Sequence, residues 1–123
     1  MPDKTDLREQ LSITLSGDTS ETEAFQSQTL RPVLKLQNEI YLMLFQDYAV
    51  SKIPDFNSLR TEKKLSFIDQ SLRKDHTLRN TFIGMTVGMF TAEEMKIYIS
   101  DKNIFHKRMI TMLTERLKSQ MKK

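Results

Sequence analysis

The sequence predicts an all-α fold, a compact bundle of four to five helices. Three observations carry this expectation. Apolar residues recur at three- and four-residue spacing along most of the chain. No alternating run is long enough to demand a strand. Gly and Pro number three each in 123 residues, too few for a loop-rich sandwich. The length suits one domain, divided into a flexible acidic arm over 1–20 and a helical domain over 21–123.

Residues 1–20 are polar, rich in Ser, Thr and Asp, and contain Gly17. Leu7, Leu11 and Leu15 recur every four residues, the mark of a short amphipathic helix, but nothing strong caps it. The segment therefore reads as a mobile arm, free to dock on a partner.

The first major helix falls between about residue 22 and Lys52. Pro32 complicates it, because proline lacks an N–H and crowds the carbonyl four residues back. Either the helix begins near Thr29 with Pro32 in its first turn, or a longer helix is kinked there. From Val33 to Val50 the apolar residues form two stripes. One is Val33, Leu36, Ile40, Met43 and Leu44; the other is Leu34, Tyr41, Phe45, Tyr48 and Ala49. A helix apolar nearly all round is normally buried on all sides. In a small bundle this predicts either a central helix or one half covered by a second subunit, the latter in an intertwined or face-to-face homodimer. Pro54 stops the helix, since the residue before proline resists the α region.

Leu59 to Lys74 reads as an ordinary surface helix with Leu65, Ile68 and Leu72 on one stripe. Asp75 is placed to cap a third helix carrying Leu78, Phe82, Met85 and Met89. Thr91-Ala92-Glu93-Glu94 is a capping box and starts a fourth, with Met95, Tyr98 and Ile99 facing inward. Asp101 or Asn103 caps the last, which runs towards Gln120 on a stripe of Phe105, Met109, Met112, Leu113 and Leu117.

The formal net charge is +3, unevenly spread. Residues 1–30 hold two basic and six acidic side chains, net −4, which leaves +7 for residues 31–123. Residues 102–123 alone hold seven basic residues against Glu115. No apolar run follows Asp3 and Asp6, so no signal peptide is expected. The longest apolar run, Ile40–Phe45, is far short of the ~20 residues of a membrane span. A cytoplasmic protein without membrane contact is the expectation.

Motif chemistry is sparse. Zero Cys excludes a disulfide framework, a thiolate nucleophile and Cys-ligated metals. His76 and His106 lie thirty residues apart, with no HExxH, ExxH or DxDxDG spacing. The phosphate-loop and GxSxG patterns are absent too. No catalytic residue, cofactor or metal ligand is assigned. Gly84 and Gly88, four apart, suit close approach of another helix, and Gly88 also suits a helix end. The candidate contact surface is Tyr41, Phe45, Tyr48 and the Gly84/Gly88 face. Lys107, Arg108, Arg116 and Lys118 are candidate phosphate contacts, with Lys122 and Lys123 extending the patch.

Leu30-Arg31-Pro32-Val33-Leu34-Lys35-Leu36-Gln37, with Leu78-Arg79-Asn80-Thr81-Phe82-Ile83-Gly84-Met85-Thr86-Val87-Gly88 and Phe90-Thr91, resembles an uncharacterised family of small all-helical bacterial proteins. The resemblance covers most of residues 23–120. Some members are labelled "glyoxalase". It implies an all-helical bacterial cytoplasmic protein and carries over no catalytic residue.

Three functional readings follow. The first is a non-catalytic helical interaction or regulatory protein acting as a homodimer. The second is a nucleic-acid-binding accessory protein using the basic C-terminal helix. The third is a small-molecule enzyme of the kind the glyoxalase label implies, with a site near His106 and Tyr98.

Overall fold

The computed structural model describes residues 21–121. The expected arm, with its Leu7, Leu11 and Leu15 stripe, lies outside the described residues, as do Lys122 and Lys123. In chain order the elements are α1 (Glu21–Phe25), a π-helical turn (Gln26–Leu30), α2 (Arg31–Leu36) and α3 (Asn38–Lys52). A 3₁₀ turn (Phe56–Ser58) leads to α4 (Thr61–Lys74), α5 (His76–Val87), α6 (Ala92–Ser100) and α7 (Lys102–Gln120). Among the described residues there is no strand.

Residues 21–36 make one continuous rod, so the described chain forms six rods, one more than the upper expectation. The extra rod comes from the first long helix. Pro32 neither starts it nor ends it. The chain enters α2 through the π turn, where the Arg31 N–H donates to the Gln26 carbonyl. This wider turn makes room for the proline ring, which would otherwise crowd the carbonyl of Gln28. The break falls five residues later, at Gln37 (φ −96°, ψ 10°), where sequence shows neither Gly nor Pro.

The other boundaries follow local chemistry. Ile53 is extended (φ −132°, ψ 95°) before Pro54, which ends α3. Asp75 caps α5 by accepting from the Leu78 N–H at 3.1 Å. The capping box of α6 is complete. The Glu94 N–H donates to Thr91 Oγ1 at 3.2 Å, and the Thr91 N–H donates to Glu94 Oε1 at 2.9 Å. Asp101, not Asn103, caps α7 through the Ile104 N–H.

Helices α4, α5 and α7 pack on one another, and α6 packs on α7. Two apolar clusters result. The larger joins Tyr41, Phe45 and Ala49 of α3 to Ile68 and Leu72 of α4, Phe82 of α5 and Leu113 and Leu117 of α7. The smaller joins Phe25 and Leu30 of the first rod to Ile83, Phe90, Tyr98, Phe105 and Met109. Periodicity did not single out Phe25, Phe56 or Phe90, yet all three are buried. Phe56 and Phe90 lie outside the α-helices, where no periodic stripe exists to reveal them.

Candidate functional site

The feature that stands out is the outer face of α2 and α3, on either side of the Gln37 break. Leu36, Ile40, Met43 and Val50 recur at four-, three- and seven-residue steps, which puts them on one side. They are 47, 54, 66 and 37 % exposed, unusual for side chains of this size on adjacent turns. Glu39, Gln46 and Asp47 flank them. A shallow apolar depression on this face is lined by Leu42, Met43 and Val50, with Gln46 and Asp47 at its edge.

The candidate contact residues do not sit there. Tyr41 and Phe45 are 1 and 0 % exposed and belong to the chain's own core, so they offer a partner nothing. This corrects the expectation, and the geometry explains it. At 100° per residue Phe45 lies opposite the Leu36–Met43 side of the helix. Tyr48 is half-buried and donates from its hydroxyl to Asp75 Oδ2 at 2.8 Å. Burial and the Asp75 carboxylate beside it raise the Tyr48 pKa above the ordinary value. Asp75 shifts the other way. The Leu78 N–H, then the Tyr48 hydroxyl, hold its carboxyl below the usual carboxylate range.

The glycine face is also not a packed one within the chain. A Cβ built on Gly84 would meet nothing within 4 Å, so among the described residues no other helix packs against it. Gly88 is the C-cap of α5, as the helix-end reading expects. Its φ of −61° does not call for glycine; a Cβ there would lie 3.2 Å from the Gly84 carbonyl oxygen.

Between the two glycines lies a polar chain, buried at Tyr41 and Thr86 and part-buried at Gln37, that sequence reading missed. Gln37 Nε2 donates to the Tyr41 hydroxyl at 2.9 Å and to the Met85 carbonyl at 3.1 Å. The Tyr41 hydroxyl lies 2.8 Å from Thr86 Oγ1, which donates to the Phe82 carbonyl at 2.9 Å. Thr86 thus spends its proton on Phe82 and accepts from Tyr41. Burial raises the Tyr41 pKa, which keeps the phenol protonated and able to donate. The chain pins the Gln37 break to α5.

The basic residues of α7 are mostly engaged inside the molecule. Arg108 Nη1 donates to Gln26 Oε1 at 3.0 Å. Arg116 Nε donates to Asn38 Oδ1 at 3.0 Å, and Asn38 is also held by Gln120. Lys118 bridges to Asp69 at 3.1 Å. Lys107 alone of the four has no partner among the described residues. The four therefore do not form one phosphate-tracking face.

Tyr98 and His106 do come together. The Tyr98 hydroxyl lies 2.5 Å from His106 Nε2, joining α6 to α7. Burial, then Lys102 and Arg79, push the His106 pKa below its usual value, and burial raises that of Tyr98. Tyr98 is buried, and the hydroxyl's short contact is with the imidazole itself, so the pair reads as an inter-helix bond. Among the described residues no three His, Asp or Glu cluster closely enough to hold a metal ion. No described helix is long and apolar enough to cross a membrane.

Comparison of the chain with protein-family models, curated proteins and solved structures gave no match.

Proposed function

We propose that this chain is a non-catalytic interaction or regulatory protein that acts as a homodimer, joined through the outer face of α2 and α3. The observation that carries the reading is the row of Leu36, Ile40, Met43 and Val50 left exposed by the chain's own fold. Each buried aliphatic side chain of this kind is worth roughly 1.5–3 kcal/mol when fully withdrawn from water, so covering the row favours association. A second copy suits the row because its spacing is symmetric. Leu36 and Val50 stand seven residues either side of Met43. A two-fold axis at Met43 sets Met43 against its own copy and brings Leu36 of each copy towards Val50 of the other, as an isologous interface requires.

Sedimentation equilibrium tests this. The parent chain is expected to be dimeric at high micromolar concentration, and the Ile40→Glu, Met43→Glu variant monomeric with unchanged helical circular dichroism. A parent that stays monomeric, or a variant that stays dimeric, defeats the proposal.

A further inference from the structure

On the side of α7 that carries Lys107, a groove of about 420 Å³ runs between α4, α5 and α7. Its size is that of a small-molecule site. Leu72 and Ile110 contribute apolar wall, and Thr111 and Thr114 contribute hydroxyls. Arg73, Arg79 and Lys107 enter it from three different helices.

The charges in it are not balanced locally. Of the two acids lining the groove, Asp69 is already bridged to Lys118. Lys118 lies eleven residues along α7 from Lys107, about 16 Å at 1.5 Å per residue, so that bridge marks the far end. The second acid, Glu115, makes no ion pair with any described residue. It therefore does not neutralise Arg73, Arg79 or Lys107 by direct contact. Arg79 is held in place. Its Nη1 donates to the Arg73 carbonyl at 3.2 Å, leaving its other N–H groups to bond elsewhere. The side chains of Arg73 and Lys107 have no partner among the described residues. His106, next to Lys107, is held towards its neutral form by burial first and then by Lys102 and Arg79.

Three cations on a concave wall, one of them a fixed guanidinium, match an oxyanion better than solvent does. We infer that the α4–α5–α7 groove binds a small molecule through a phosphate or carboxylate group held by Arg79, Lys107 and Arg73. The body of the ligand lies towards Thr111 and Glu115, which suits hydroxyl or amino substituents. This site is separate from the proposed dimer face and stands without it.

The test is a titration of the ¹⁵N-labelled full chain with inorganic phosphate and, separately, with citrate. Saturable amide shifts confined to Arg79, Lys107, Thr111 and their neighbours are expected. The tighter of the two anions identifies the group as phosphate or carboxylate. Arg79→Gln with Lys107→Gln should weaken binding about tenfold or more. Lys107→Gln alone, at an exposed position, should weaken it less, and Arg108→Gln, outside the groove, should leave it unchanged. Shifts that remain linear in anion concentration overturn the inference. So does a double variant, folded by circular dichroism, that titrates like the parent. Binding of a single-stranded oligonucleotide when neither small anion binds overturns it in favour of a nucleic-acid surface.

Discussion

The inner and outer faces of α3 are built from similar material. Tyr41, Phe45 and Ala49 line one, and Ile40, Met43 and Val50 the other. The first set is 0–1 % exposed, while the second is 37–66 % exposed. The difference lies in what stands opposite. The inner face meets apolar stripes of α4, α5 and α7, brought to it by the topology. The outer face is left largely open to solvent. Burial is a property of the pair of surfaces, and one helix read alone supplies only half of the pair.

Breaking the inner face should have the largest effect. Phe45→Ala removes a ring in contact with Tyr48, Phe56 and Phe67 from a fully buried site. A loss of about 3–5 kcal/mol in urea unfolding is expected, enough to leave a marginal domain largely unfolded. At the outer face the expectation is inverted. Met43→Ser should change monomer stability by no more than about 0.5 kcal/mol while weakening self-association in sedimentation. An inner-face cost at Met43 would mean that the two faces are not as different as their exposure says.

Tyr41→Phe keeps the inner-face ring and deletes the hydroxyl between Gln37 and Thr86. It should cost about 1–2 kcal/mol, and hydrogen exchange should quicken around Gln37 and Met85. Gly84→Ala sharpens the choice of contact surface. With open space at the Cβ position and an ordinary backbone, alanine should stabilise the monomer by about 1 kcal/mol. It should leave association unchanged if the outer face of α3 is the interface, and weaken it if the glycine face is.

The smallest effect concerns pH. His106 is held below its usual value of 6.5 by burial first and then by Lys102 and Arg79. The unfolded chain therefore binds the proton more readily. The contribution is fully present above about pH 6.5 and is lost as pH falls through the lower folded-state value. Stability measured between pH 7 and 5 should decline, and less so in His106→Gln.

Much of the architecture could be read locally. Asp75, the Thr91/Glu94 box, Asp101 and Pro54 each mark a boundary through bonds to groups within a few residues, so sequence spacing is sufficient to find them. The π turn before Pro32 and the break at Gln37 were not readable in this way. The break is held by the Met85 carbonyl, forty-eight residues away. The candidate site fared likewise. Both apolar stripes of the central helix were visible, but the inner one was assigned to the partner. The basic residues of α7 were visible as well, but their internal acceptors, Gln26, Asn38 and Asp69, lie on other helices.

What the sequence determined by itself is the helical class, the capped boundaries and the presence of more apolar surface on one helix than a small bundle covers. These depend on backbone hydrogen bonds and side-chain periodicity over a turn or two. Only the tertiary structure decided which stripe is inside, which cations are taken and which converge on a groove. Hydrophobic burial is non-directional, and ion pairing depends on distance in space. Neither has a value until elements far apart in the chain are set side by side.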